Sequence, residues 1–328
     1  MSVLVTGGTG FVGLNLVEAL LARGEHVIVA ALDDMPSSAL RAFAGLPGKL
    51  TAVRCDVCDG AAIGALLRQY QVDRMFPFAA ITSGPDREAE MPERIISVNL
   101  LGFITQLRAA RDAGVKRVIA PASASVYGES FFDHALLDEA TTPCVPTGVY
   151  GLTKYGIERT GLRLGALWGI DVIAARIGAV FGPWERDTGL RDMIGPHWQL
   201  ARAARDGQAA VLPTVIPAYT WVYSRDVAAG LLHLLDMPDP AHRVFNICSS
   251  VPWGEVLTDW ADRLTSAFPG FTWQRGDTPT IRFSETRPRG IMDNSRLRAT
   301  DWAPRFLPAA AYADYAEWVV SDPSRLDQ

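Results

Sequence analysis

Ser2-Val-Leu-Val-Thr6, followed at once by Gly7-Gly-Thr-Gly10-Phe-Val-Gly13, decides the fold of this chain. The first five residues are an apolar run of strand length. Gly7, Gly10 and Gly13 then punctuate a turn, and Leu14 to Ala22 carries apolar residues at helical spacing. A strand, a glycine turn and a helix in this order make a phosphate site. The glycines let the backbone turn tightly and approach a pyrophosphate, while the helix N-terminus presents N–H groups and a positive dipole end. Gly-x-x-Gly-x-x-Gly alone is a weak signal, but here the strand before it and the helix after it supply the context the motif requires. The reading is a dinucleotide cradle, with Gly7, Gly10, Phe11 and Val12 against the ligand.

The pattern repeats outward. Strand-like runs at 2–6, 26–31, 50–55, 74–79, 117–122, 171–177 and 243–248 alternate with helical ones. This predicts an α/β fold, a Rossmann-type doubly wound parallel sheet of about seven strands with helices on both faces. Residues 1–181, rejoined by 218–250, are expected to form the dinucleotide-binding domain. Residues 182–217 and 251–328 are expected to form a smaller, discontinuous C-terminal substrate lobe. An acidic residue at the end of the second strand usually binds the adenosine ribose hydroxyls. Ala31 stands there, and Asp33 just beyond either takes that role or solvates a loop. The next base is Arg41, too far on to receive a 2′-phosphate, so NAD is expected rather than NADP. Asp56, in Cys55-Asp56-Val57 at the end of the third strand, can reach the adenine amino group.

A second constellation lies downstream. The strand Arg117 to Ala122 delivers Ser123-Ala124-Ser125, and Gly148 to Leu167 reads as a long helix. On that helix Tyr150 and Lys154 are four apart and share a face. A phenol is a poor base unless a neighbouring cation favours its phenolate. With Lys154 beside it, Tyr150 can take a proton from an alcohol while hydride leaves the same carbon, or return it in reduction. Ser123 would orient the substrate oxygen, and Lys154 would also hold the nicotinamide ribose.

With these motifs the chain resembles the extended short-chain dehydrogenase/reductases, the group of the NAD-dependent sugar epimerases and dehydratases. The resemblance runs from residue 2 to about residue 250 and more faintly to residue 306. It implies that Val57, Ala79, Ala80 and Ile177 also face the cofactor, and that Asn99 shapes the active-site strand. It implies a homodimer through helices at about 94–113 and 149–168. The departures concern the substrate. Pro77 stands where the family often has His. Ala124 and Ser125 replace the Asp-Glu of the dehydratases, which argues against 4,6-dehydration. Tyr219 stands where sugar-nucleotide enzymes place an arginine on the diphosphate, and a phenol lacks the bidentate guanidinium fork.

The expected function is therefore NAD-dependent hydride transfer at a secondary alcohol or ketone of a small carbohydrate-like substrate: a free sugar, sugar acid or lactone. The alternative is a sugar or nucleotide-sugar epimerase that uses the same residues with transient oxidation. A third reading, a nicotinamide-binding regulator without turnover, has the intact Tyr150 and Lys154 against it. Thr82, Ser83, Ser125, Arg186 and Tyr219 are the expected substrate contacts. Arg186 and Arg191 belong to a charged insert at 184–192 that reads as a substrate lid as a segment, while most of its single charges read as a solvated loop pairing among themselves. Arg287 and Arg289 are either anion binders or part of a solvated loop.

The rest of the composition narrows the partners. A chain of 328 residues with 48% hydrophobic residues has room for one large domain and a lobe. A net charge of −5 suggests no basic face for nucleic acid. The apolar runs are too short to span a bilayer, and Met1-Ser2 leads straight into the first strand, so a cytoplasmic protein is expected. Cys55-x-x-Cys58 resembles half a zinc site, but Cys144 and Cys248 are single and no metal is expected. His197 reads as structural.

Overall fold

The computed structural model describes residues 2–189, 194–217, 219–249 and 256–327. Arg191 and the domain boundaries drawn at 218 and 250–251 lie outside these residues. The central sheet consists of β1 (Ser2–Thr6), β2 (His26–Ala31), β3 (Lys49–Arg54), β4 (Arg74–Pro77), β5 (Arg117–Ala120), β6 (Asp171–Ile177) and β7 (Val244–Ile247). All seven strands are parallel, in the order β3-β2-β1-β4-β5-β6-β7. The order reverses between β1 and β4, and in such a sheet the ligand crevice opens at the carboxyl ends of the strands there.

Alternation along the strands builds two cores. Val3, Val5, Val27 and Val29 pack with Leu14 and Val17 of α1 (Phe11–Ala22) on one face. Leu4, Ile28 and Ala30 face the other way, toward Ile63 and Leu67 of α2 (Gly60–Gln69) and Phe103 and Leu107 of α3 (Gly102–Ala113). Helix α4 (Val149–Trp168) joins this second face, and α5 (Ser224–Asp236) lies beside α1. Being covered on both sides is why the strands read as continuous apolar runs.

β4 and β5 end sooner than their apolar runs. β4 stops at Pro77 and β5 at Ala120, just before Pro121, which has no N–H to continue a ladder. The helical region expected at 94–113 holds a π-helical turn, Ser97–Leu101, ahead of α3. Asn99 in that turn is 1% exposed. Its side chain accepts from the Ile81 N–H at 2.8 Å and donates to the Ile81 carbonyl at 3.0 Å. The π turn thus spends a residue to aim an amide at the segment after β4.

Three short parallel pairs shape the remainder: 179–181 with 221–223, 210–213 with 273–276, and 136–137 with 291–292. The last pair carries Arg287 to Gly290 back toward the carboxyl end of the sheet. Among the described residues no helix is long and apolar enough to cross a membrane.

Candidate active site

Two cavities meet at the carboxyl ends of β1, β4, β5 and β6. The first, about 340 Å³, is lined at one end by Gly7, Gly10, Phe11, Val12 and Gly13 and at the other by Ser123, Tyr150, Lys154 and Ile177. Gly10 caps α1 without a side-chain hydrogen bond. A Cβ at Gly13 would lie 2.3 Å from the Gly7 carbonyl oxygen, so only glycine lets the helix start this close to the loop. A glycine cradle at one end and a Tyr–Lys pair at the other fit a nicotinamide dinucleotide lying along the groove. Ala80 and Thr82 line the same groove. Ala79 packs its backbone against Gly7, and Val57 is buried with Ile81, Ile95 and Val98. Asp33 is exposed, and Asp56 accepts a hydrogen bond from the Cys58 N–H at 2.9 Å.

The second cavity, about 370 Å³, shares Ser123, Tyr150, Gly178 and Ala179 with the first. These residues form the wall where substrate and cofactor can meet. α4 places Tyr150 there because its glycines permit close packing: a Cβ at Gly151 would stand 2.9 Å from the Ser125 carbonyl oxygen. The Lys154 ammonium lies 5.5 Å from the Tyr150 ring centroid and the residue is 4% exposed. Thr153 donates to the Tyr150 carbonyl at 2.8 Å and accepts from Asn99 at 3.2 Å, which ties the helix start to the π turn. Ser123 accepts from the Ser125 N–H at 3.2 Å and bridges to Ile177 of β6.

Ser83, Ser125 and Tyr219 line this second cavity. Thr82 lines the first cavity instead, and Arg186 lies over the glycine loop rather than in the second cavity. The chain after Trp184 turns back over the glycine loop, where the Arg186 guanidinium donates to the Thr9 carbonyl at 2.6 Å. Burial lowers the Arg186 pKa and the Asp33 charge partly restores it. A base therefore does stand near Asp33, contributed by a residue 153 positions away that no local reading could place. His197 is fully buried, stacked on Phe181 at 4.0 Å, and burial pushes it down to about 3, so it stays neutral.

Charge in the second cavity is uneven. Arg287 is exposed and paired with Glu285 at 2.8 Å, and its guanidinium holds the Glu285 carboxyl at about 2. Arg289 is different. Its guanidinium stacks over Tyr219 at 4.9 Å and Phe131 at 5.2 Å. Its Nε is buried without a hydrogen-bond partner, and among the described residues Arg289 makes no ion pair. The Tyr219 hydroxyl donates to the Glu285 carbonyl at 2.6 Å, so the tyrosine supports the loop that presents Arg289. The buried Ser125 hydroxyl likewise has no hydrogen-bond partner among the described residues.

The family model described as "NAD dependent epimerase/dehydratase family" matches residues 3–248. The chain belongs to the NAD dependent epimerase/dehydratase family. It is thus an NAD-dependent enzyme of the extended short-chain dehydrogenase/reductase type. "Sterol demethylase protein B" of Methylococcus capsulatus is 29% identical over 274 residues, 81% of this chain and 75% of that protein. A UDP-glucose 4-epimerase of Halalkalibacterium halodurans is 28% identical over 176 residues, 54% of this chain, and the match spans half of that relative, 50%. In fold the chain is similar to the UDP-glucose 4-epimerase of Bifidobacterium longum, solved with NAD+ and UDP. The TM-score is 0.81 at 19% identity, over 99% of this chain and 100% of the other.

One feature of this family member escaped the sequence. Glu88, from the segment after β4, lines the second cavity and accepts from the Tyr150 N–H and the Ser83 hydroxyl, both at 3.1 Å. It supplies a negative charge at the N-terminus of α4, whose own cap, Gly148, has no side chain to do so. The contact joins residues 62 apart, and nothing local in the sequence signals it.

Proposed function

We propose that this enzyme epimerises a carbohydrate that carries an anionic group, by oxidising a carbon transiently and returning hydride to its other face. Epimerisation is supported by the family match over residues 3–248, and the observation that carries the anionic group is Arg289, a guanidinium without a carboxylate partner among the described residues, in the cavity that ends on Tyr150. Arg289 is half-buried, a cation in that state gains from an anion that meets it, and its fork suits a phosphate or a carboxylate. NAD, when bound, supplies the hydride acceptor. Ser123 and Tyr150 hold the substrate oxygen between them. The Tyr150 phenolate takes the hydroxyl proton as the carbonyl forms and gives it back when the alcohol is restored. Lys154 stabilises the phenolate through its charge. Ala124 and Ser125 offer no acid–base pair for dehydration.

A second reading rests on Tyr219. Where an arginine would hold a diphosphate, this phenol is committed to the Glu285 backbone, which favours a substrate without a nucleotide, such as a sugar acid, oxidised with net release of NADH. The test is to incubate the purified protein with NAD and a panel of UDP-sugars, sugar acids and free sugars. Stereoisomers are followed by NMR and NADH by absorbance. Isomer without NADH supports the epimerase; stoichiometric NADH from a nucleotide-free acid overturns it in favour of a dehydrogenase. On the active compound Arg289→Met is expected to raise KM with little change in kcat. A lost hydrogen bond to a charged group is worth about 1.5–3 kcal/mol, roughly 10- to 100-fold.

The same reading assigns residues 1–181 with 218–250 to the cofactor and most of 182–217 with 251–328 to the substrate. Exposed Ile96 and Leu101 in the helical stretch before and through the π turn, and exposed Leu152 and Leu167 on α4, support a homodimer through these helices.

A further inference from the structure

We propose that residues 184–189 form a strap over the bound dinucleotide and that Arg186 is a ligand of its pyrophosphate. The strap is held on both sides of the groove. Trp184, 2% exposed and with a left-handed φ of 69°, donates from its indole to Glu18 on α1 at 2.8 Å. Arg186 donates to the Thr9 carbonyl in the glycine loop at 2.6 Å. At the far end the Gly189 carbonyl accepts from Arg87 at 2.7 Å. Arg87 belongs to the helix Pro85–Glu90 after β4, whereas Glu18 and Thr9 lie on the α1 side. The strap therefore runs from one side of the dinucleotide groove to the other, and Thr188 within it lines that groove.

Arg186 carries the chemical part of the argument. A guanidinium has five N–H donors. Among the described residues Arg186 spends one hydrogen bond on a neutral carbonyl and makes no ion pair. A half-buried cation in that state is completed by an anion. The pyrophosphate is the anion that the α1 N-terminus and the glycine loop are built to receive, and Thr9 sits in that loop. Dinucleotide release then requires the Arg87–Gly189 contact to part. A strap of this kind keeps the cofactor in place between turnovers, whichever sugar is the substrate.

Binding measurements test this without any substrate, so the outcome is independent of the proposed reaction. Protein stripped of nucleotide is titrated with ADP-ribose, which carries the pyrophosphate, and with adenosine, which lacks it. Arg186→Met is expected to weaken ADP-ribose roughly 10-fold or more and to leave adenosine unchanged. Arg186→Lys, which keeps the charge and loses the fork, should fall between. Arg87→Met is expected to speed NADH release several-fold in a fluorescence chase while the association rate holds. Undiminished ADP-ribose affinity in Arg186→Met would reduce Arg186 to a structural pin, and so would equal losses for adenosine and ADP-ribose. If Arg186→Met does not fold, Arg186→Lys decides the ligand. Unchanged NADH release in Arg87→Met would remove the latch.

Discussion

Replacing Tyr150 by Phe is expected to abolish turnover while NAD binds as before. The phenylalanine ring keeps the space and the packing beside Lys154, whose ammonium lies 5.5 Å from the ring centroid. Only the hydroxyl is lost, and with it the group that takes and returns the substrate proton. Positioned acid–base groups contribute roughly 10²- to 10⁴-fold, so kcat should fall within or beyond that range. On the proposed reading cofactor affinity rests on the glycine cradle, Arg186 and Lys154, none of which this change touches, and NAD titration by fluorescence should return the wild-type constant. Most of the activity surviving would show that another group moves the proton. Loss of NAD binding together with activity would show that the hydroxyl is a cofactor ligand first.

How much of this site is legible in the sequence depends on the range of the interactions that build it. Gly7, Gly10 and Gly13 answer to one turn, and Tyr150 and Lys154 to one helix face, so spacing alone carries them. The seven strands were legible because a sheet buried on both faces leaves long apolar runs. Their early ends at Pro77 and Ala120 follow from a property of proline that the sequence also contains. The π turn at Ser97–Leu101 was not legible. It exists because Asn99 must reach Ile81 across the fold, and no periodicity within the helix encodes that. Glu88 and Arg186 were missed or misplaced for the same reason. Each meets its partner across a long stretch of chain, Glu88 at Tyr150 and Arg186 at Thr9. A charged insert read in isolation has no direction, and only the turn after Trp184 shows that Arg186 bends over the glycine loop.

Arg176→Met should be the most destabilising change close to the site, because it breaks the ion pair that fixes the catalytic helix to the sheet. Arg176, on β6 next to Ile177, donates to both Glu158 oxygens at 2.7 and 2.8 Å. It also reaches the Tyr127 hydroxyl at 3.0 Å, and that hydroxyl donates on to Asn246 on β7 at 2.9 Å. Arg176 is 4% exposed and Glu158 0%, so solvent does not screen the pair. Glu158 lies one helical turn after Lys154 on α4, and the pair therefore sets how that helix sits against the strand lining the cofactor groove. Removing the arginine leaves a carboxylate buried without its cation, which costs about 3–5 kcal/mol where such pairs have been broken. Thermal unfolding should move down on the order of 10 °C. Arg176→Met combined with Glu158→Leu removes both charges, and much of the loss should return, since apolar replacement of a whole buried pair is often neutral. A loss below about 1 kcal/mol for Arg176→Met, the scale of an exposed ion pair, would mean that packing around Tyr127 and of Val172 on β6, which lies against Gly161 and Gly165 of α4, holds the helix in place instead of this pair.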